Sequence, residues 1–173
     1  MELTLATQRL ILRPFALSDV PAVTEITSRP HVSKYMTDMI YDTPDKAESW
    51  IRMLDRICDV KESCVVLAIV PKGETAPIGY IGLHPKDTLD NEIEILYAMA
   101  DEYQNKGYVT EAGKALIDWY FATASTPFIA AIVQHSNLAS TRVAEKLGFA
   151  YEGERNLLHN GIMTAFHYYR LYA

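Results

Sequence analysis

The chain is organised around EILYAMADEYQNKGYVTEA, residues 94–112, in which a strand pattern runs into a basic turn that opens a helix. The free amides and the dipole of a helix's first turn bind anions. Gly107 permits a left-handed backbone or close ligand approach, and Lys106 adds positive charge. A lone glycine in such a turn is more often a plain turn. The helix is predicted from apolar residues at helical spacing, namely Ala112, Ala115, Leu116, Trp119 and Tyr120.

The strand before this turn, residues 92–99, presents two different faces. By the period of two, Glu94 shares its face with Glu92, Leu96 and Ala98, and the other face carries Ile93, Ile95, Tyr97 and Met99. Desolvation on a half-apolar face makes a carboxylate a better proton acceptor, as a general base requires. The alternative is a solvated face that carries two glutamates.

Composition limits the class of protein. The chain has 173 residues, 49% hydrophobic and 22% charged, which fits one folded domain spanning residues 1–173. A net charge of −6 argues against a nucleic-acid partner and favours a cationic one. Cys58 and Cys64 form no C-x-x-C pair, and the sequence has no signal peptide or membrane span. We expect a reduced, cytoplasmic protein that binds neither a membrane nor a structural metal.

The first third of the chain predicts one strand and two helices. The strand covers residues 9–15, and a helix follows over residues 17–28, with Ser18 or Asp19 as its N-cap. Residues 31–41 are irregular and predict either a packed connector or the lining of a substrate cleft. Thr43 and Pro44 then open a second helix. Its apolar stripe consists of Trp50, Ile51, Leu54, Ile57 and Cys58.

The rest of the chain predicts alternating strands and helices, which makes the fold class α/β. Residues 63–70 and 78–84 form a hairpin, in which Gly79 and Gly82 indicate a bulge or a close backbone approach. The apolar run 128–134 predicts a strand buried on both faces. Asn137 caps a further helix that ends at Gly148, with Val143, Ala144 and Leu147 facing inward. Strands 149–154 and 164–172 follow, and the second is preceded by the hairpin dipeptide Asn160-Gly161.

Several motifs, in the same order along nearly the whole chain, resemble the GNAT superfamily of acetyl-CoA-dependent N-acetyltransferases, and most of all its RimJ/RimL ribosomal-protein branch. Residues 104–109 (QNKGYV) match the pyrophosphate signature Q/R-x-x-G-x-G/A. Asn137, Ser140 and residues 146–149 (KLGF) match the second motif. The opening T-x-R-L-x-L-R is present as Thr7, Arg9, Leu10, Leu12 and Arg13.

The resemblance implies a fold and a coenzyme site. The fold is a mixed, mostly antiparallel sheet flanked by helices, whose central parallel strands, residues 92–99 and 128–134, splay apart at a bulge. The pantetheine arm of acetyl-CoA would lie in that gap, and the pyrophosphate would lie on the amides of the turn. The implied coenzyme-binding residues are Tyr97, Ala98, Met99, Gln104, Asn105, Lys106, Gly107, Tyr108, Val109, Thr110, Asn137 and Ser140.

The same resemblance implies direct attack of an amine on the thioester, with Glu94 as general base and a backbone N–H near Met99 at the oxyanion. No acetyl-enzyme is expected, because neither cysteine has an evident base partner. Three positions depart from the family pattern. Asn105 replaces a common glycine, Val109 replaces Gly or Ala, and Ala144 replaces the tyrosine that protonates the leaving thiolate. Ser140 is the candidate for that last role.

Other functions remain to be weighed. The five histidines show no metal-ligand spacing, and no G-x-S-x-G motif is present, so we do not expect a metallohydrolase or a serine hydrolase. The acceptor of an acetyltransferase would be a protein N-terminus, a polyamine or another small amine. The alternative is a coenzyme-A-binding sensor or interaction module with weak chemistry. The sequence leaves monomer and homodimer open.

Overall fold

Among the residues that the structure describes, eight strands form one sheet in the order β1-β2-β3-β4-β5-β6-β8-β7. The structure is a computed structural model that describes residues 3–58 and 64–173. All neighbouring strands are antiparallel except β5 and β6. The strands are β1 Leu5–Ala6, β2 Leu10–Arg13, β3 Val65–Pro71, β4 Gly79–Lys86, β5 Glu92–Met99, β6 Phe128–Gln134, β7 Ala150–His159 and β8 Ile162–Tyr172.

Five α-helices within residues 3–58 and 64–173 cover the two faces of this sheet. They are α1 Val20–Ser28, α2 Pro30–Tyr35, α3 Pro44–Ile57, α4 Tyr108–Thr123 and α5 Leu138–Lys146. Strand β3 is buried on both faces because its alternate side chains enter different cores: Val65, Leu67 and Ile69 pack with α4 and α5, whereas Val66, Ala68 and Val70 pack with α1 to α3. No helix among the described residues is long and apolar enough to cross a membrane.

The parallel pair β5 and β6 separates, as the resemblance implied. Within the described chain these strands share one recorded residue pair, Glu94 with Ala130, and beyond it they diverge. The bulge that the resemblance placed at this splay is not found in the pairing of β5 with β4. The register of β5 with β4 runs unbroken from Gly79 opposite Met99 to Lys86 opposite Glu92. The gap therefore opens on one side of a regular strand.

The predicted helix start at Thr43 and the predicted hairpin turn at Asn160-Gly161 are confirmed. The Thr43 hydroxyl accepts from the Lys46 amide, and Pro44 begins α3. Asn160 and Gly161 have φ of 51° and 75°, as a tight type I′ hairpin requires. The close approach predicted at Gly79 is also confirmed, because a Cβ there would lie 2.4 Å from the Ala98 carbonyl oxygen.

Other local predictions were wrong. The irregular segment 31–41 begins within the short helix α2, which starts at Pro30. Ile57 was expected in the buried stripe of α3, but it is 43% exposed. The strand predicted from residue 63 begins at Val65, and residues 59–63 lie outside the described residues. Asp19 is the N-cap residue of α1, as one of the two predicted alternatives had it, but its side chain makes no cap hydrogen bond.

Asp19 instead supports a buried ion pair. Its carboxylate is 2% exposed, accepts from the Arg13 guanidinium at 2.7 and 2.9 Å, and accepts from the Ala16 amide at 2.8 Å. We expect Asp19→Ala to lower the free energy of unfolding by about 2–4 kcal/mol, because the guanidinium and the amide lose their partner. Urea denaturation measures this.

The matched control for this prediction is Glu48→Ala. Glu48 pairs with Arg52 at 2.8 Å on the exposed side of α3, so its loss should cost no more than about 0.5 kcal/mol. Equal losses for the two variants would contradict the importance given to Asp19.

Candidate active site

A cavity of about 910 Å³ lies where β5 and β6 separate. It is lined by side chains from both strands, from the turn before α4, from α5, and from α2 and α3 on the other face of the sheet. The predicted site residues that line it are Glu94, Tyr97, Ala98, Met99, Gln104, Asn105, Gly107, Val109, Thr110, Asn137 and Ser140. Lys106 and Tyr108 are not among the lining residues; Lys106 lies over the Tyr103 ring, and Tyr108 packs under the Arg9 guanidinium.

The turn before α4 has the left-handed backbone that its glycine permits. Gly107 has φ of +78° and is the N-cap residue of α4. Asn105 has φ of 58°, so it takes a left-handed conformation that asparagine tolerates better than most residues. Val109 packs against the core below the turn and also borders the cavity. The first-turn amides of α4 are thus presented at one end of the cavity.

The opening motif of the chain braces this turn. The Thr7 hydroxyl and the Arg9 backbone N–H donate to Glu111 Oε1 at 2.6 and 2.8 Å, and the Arg9 guanidinium donates to Glu111 Oε2 at 2.6 Å. A second guanidinium nitrogen donates to the Lys106 carbonyl at 3.0 Å. Burial opposes ionisation of Glu111, but these hydrogen bonds outweigh it and lower the pKa of its carboxyl. The sequence did not predict this link because its partners are about 100 residues apart.

Glu94 lies at the point where the two parallel strands part. It is 7% exposed, and its Oε2 is 3.4 Å from His84 Nε2 and 3.7 Å from Lys86 Nζ. His84 is directly opposite Glu94 in the β4–β5 register, and its Nδ1 lies 2.9 Å from the Pro85 carbonyl. Burial opposes protonation of His84, but the hydrogen bond and the charge of Glu94 outweigh it and hold the pKa of His84 above its ordinary value of 6.5. Of the two settings that the sequence left open for Glu94, the structure shows the buried one, but the neighbours His84 and Lys86 were missed. The only feature of the sequence that could have indicated these neighbours is that both lie on the adjacent antiparallel strand.

Ser140 and Tyr97 form a pair across the cavity. The Tyr97 hydroxyl lies 2.6 Å from Ser140 Oγ and 3.2 Å from the Ser140 carbonyl oxygen, so its single proton can be donated to either oxygen. Burial raises the pKa of Tyr97 to about 12, with the Ser140 hydrogen bond opposing the rise and the charge of Glu94 adding to it. The phenol therefore stays protonated at neutral pH. Asn137 Oδ1 accepts from the Ser140 amide at 3.2 Å, so this side chain acts as the N-cap of α5.

The carbonyl of Met99, which belongs to the backbone that the resemblance places along the pantetheine arm, already has side-chain partners. His31 Nε2 lies 3.0 Å from this oxygen, and the Gln104 side-chain amide donates to it at 3.3 Å. His31 Nδ1 is 2.6 Å from Asp101. Segment 31–41 thus both packs on the sheet and lines the cavity, so the two alternatives for it were not exclusive.

One group of potential metal ligands lies outside the cavity lining. Ligand atoms of His135, Glu154 and His167 lie within 4.8 Å of one another on neighbouring strands, which sequence spacing did not reveal. His135 pairs with Glu154 at 3.1 Å, and its ring lies 4.2 Å from that of His167. His167 Nδ1 is buried and makes no hydrogen bond among the described residues, so these contacts do not satisfy every potential ligand atom of the group.

Comparisons with known proteins agree with this geometry. Residues 9–150 match the sequence model of the Acetyltransferase (GNAT) domain family. The chain is 30% identical over 149 residues to a Bacillus subtilis (strain 168) protein named uncharacterized N-acetyltransferase YnaD, covering 86% of this chain and 84% of the relative.

Solved structures show the same fold. A GNAT family acetyltransferase from Bacillus anthracis superposes with a TM-score of 0.81 at 27% identity, covering 98% of both chains. The microcin C7 self immunity acetyltransferase MccE, crystallised with acetyl-CoA and AMP, has a TM-score of 0.77 at 19% identity and covers 96% of this chain and 93% of its own. At that identity, the likeness to MccE concerns the fold alone.

Proposed function

Because the chain belongs to the GNAT family of acetyl-CoA-dependent N-acetyltransferases, we propose that it transfers acetyl directly to a primary amine, with Glu94 as general base. The observation that carries the proposal is the position of this carboxylate. It is nearly closed off from solvent, borders the cavity, and lies at the residue where β5 and β6 part.

The reaction explains why a base is needed there. An alkyl ammonium has a pKa of roughly 10 in water, so at neutral pH it must lose a proton before its nitrogen can attack a thioester. Glu94 takes that proton directly or through one water. General-base help of this kind contributes ~10²- to 10⁴-fold, whereas positioning of the two substrates contributes roughly 7–11 kcal/mol. The shape of the cavity is therefore expected to contribute more than the base.

The coenzyme is proposed to lie along the gap between the strands. Its pyrophosphate would rest on the amides of residues 104–110, where the helix dipole favours an anion. The left-handed Gly107 and the bracing of the turn by Arg9 and Glu111 support this placement.

We assign Ser140 as hydrogen-bond donor to the leaving thiolate. Ala144, which is 2% exposed, stands on α5 where the family pattern has a tyrosine. Its methyl side chain cannot donate a proton. The protonated Tyr97 phenol, 2.6 Å from Ser140 Oγ, can donate to that oxygen and leave the serine proton free to turn toward sulfur. Tyr97 is then a positioning residue.

Two variants test this pair. Ser140→Ala is expected to lower kcat by about 10²-fold, since one donor at the developing charge is lost, whereas Tyr97→Phe should lower it less. Binding of coenzyme A, followed as a shift in Tm, should persist in both. Thr123→Ala, at the far end of α4, is the control. Wild-type kcat in Ser140→Ala would remove the serine from the mechanism.

The acceptor is tested by thiol release from acetyl-CoA against a panel of amines. The panel contains peptides with free N-termini, which the RimJ/RimL-like opening motif favours, together with polyamines and simple alkyl amines. The second candidate function, a coenzyme-A-binding module, is favoured only by the departures at Val109 and Ala144. It predicts stabilisation by coenzyme A without amine-dependent thiol release.

A further inference from the structure

The side chain of Glu94 faces the part of the cavity between the sheet and helices α2 and α3. Leu96 and Ala98 lie on the same face of β5 and pack with those helices, whereas the coenzyme turn and α5 belong to the opposite face. An amine that reaches Glu94 therefore approaches from α2 and α3. We call the cavity lining contributed by residues 32–57 and 84–96 the acceptor half.

In the part of the chain that the structure describes, the acceptor half carries little negative charge, although the whole chain is acidic. Of the 22 Asp and Glu residues in the sequence, Asp38 and Glu94 are the two that border the cavity among the described residues. Asp38 is exposed. Glu94 already faces Lys86 at 3.7 Å and His84 at 3.4 Å. The net charge of −6 therefore does not describe the site.

The remaining walls of the acceptor half are largely apolar. Met36, Met39 and Met53 border the cavity next to Trp50 and Leu54. Unbranched methionine side chains adapt to apolar groups of different shape. A second ammonium group placed here would lose hydration and would be repelled by Lys86. Among the residues that the structure describes, the exposed Asp38 is the one further carboxylate that borders the cavity.

From these contacts we propose that the acceptor is a singly charged primary amine carried on an apolar group, and that polyamines are poor acceptors. The inference rests on the proposed function and narrows its substrate class. It also reverses the expectation from net charge, because the field at the reacting amine is set by Glu94, Lys86 and His84 rather than by distant surface carboxylates.

The test compares two amines of the same chain length, hexylamine and hexane-1,6-diamine, in the thiol-release assay. Per amino group, kcat/KM for hexylamine is expected to exceed that for the diamine by at least about tenfold, because the second ammonium enters an apolar site without a partner. A diamine that performs as well as hexylamine, or better, overturns the proposal.

Charge variants check the cause of the preference. Lys86→Glu should shift the ratio of kcat/KM values toward the diamine, because it replaces the repelling cation by a carboxylate. Lys86→Met removes the cation without adding a carboxylate and should shift this ratio less. Lys114→Glu makes the same charge change on the exposed side of α4 and should leave the ratio unchanged. An equal shift in Lys114→Glu would show that overall charge, not the site, sets the preference. The ratio, rather than the absolute rate, is the readout because Lys86 adjoins Glu94.

Failure of this inference can be separated from failure of the proposed function. If neither amine is turned over, the same comparison is made on the Tm shift that each gives to the coenzyme A complex, and a larger shift from the diamine overturns the inference. Loss of the proposed function shows differently, as the absence of thiol release with every amine in the panel.

Discussion

Glu94→Gln is expected to lower kcat by about 10²- to 10⁴-fold and to leave coenzyme A binding nearly intact, because the amide keeps the shape of the side chain but cannot accept the proton. The deficit should be greatest at low pH. As the pH rises toward the pKa of the amine, roughly 10, more acceptor arrives already deprotonated and the base matters less. The measurement is the pH dependence of amine-dependent thiol release.

Glu92→Gln is the matched control. Glu92 lies on the same face of β5, two residues away, but it bonds to Tyr168 and Arg170 rather than bordering the cavity. We expect this variant to lose stability, by about 1–3 kcal/mol, and to keep kcat. Unchanged turnover in Glu94→Gln would remove Glu94 from the mechanism.

His84 is expected to determine how the wild-type rate changes on the acid side of the pH profile. Since Glu94 raises the pKa of His84, the imidazolium forms as the pH falls through a value above 6.5 and pairs with the carboxylate that should act as base. The wild-type rate should therefore decline on the acid side through that raised pKa. In His84→Gln this limb should move or disappear.

The second large effect is expected at Gly107. Gly107→Asp should abolish the stabilisation by coenzyme A, because a side chain is strained at φ of +78° and its carboxylate would meet the pyrophosphate at the start of α4. For a ligand present at 100 times its Kd, the stabilisation that would be lost is about 2.7 kcal/mol. It is read as the Tm shift with and without coenzyme A.

Two controls separate strain from charge in this experiment. Gly73→Asp makes the same change at φ of +89° in the turn after β3, where a Cβ would meet nothing within 4 Å, so the Tm shift with coenzyme A should persist. Gly107→Asn introduces a residue that tolerates the left-handed backbone and adds no charge, so part of the Tm shift with coenzyme A should remain. A full shift in Gly107→Asp would refute the pyrophosphate site.

Sequence reasoning succeeded where local chemistry decides the structure. Strand β5 has the predicted bounds and faces because its alternation is strong, and the Asn160-Gly161 turn is specified by two residues. It failed for α2, a six-residue helix that is too short to be stable without tertiary packing. It also missed the partners of Glu94, because no pattern within one strand shows which side chains the neighbouring strand presents.

The same limit applies to the acceptor, whose charge preference the proposal infers from the site and not from the composition. Net charge is a sum over the whole surface, whereas the charge that an amine meets depends on which side chains the fold brings to Glu94. For the opening motif, the sequence showed the resemblance but not the physical role. That role depends on the fold, in which Thr7 and Arg9 donate hydrogen bonds to Glu111 next to the coenzyme turn.

The most direct test of the central claim is to follow acetyl-CoA, amine and protein together by thiol release and mass spectrometry. Direct transfer predicts one thiol released for each amine acetylated, thiol release that depends on the amine, and no acetyl group on the protein. Stabilisation by coenzyme A without amine-dependent thiol release from any amine in the panel would contradict the claim.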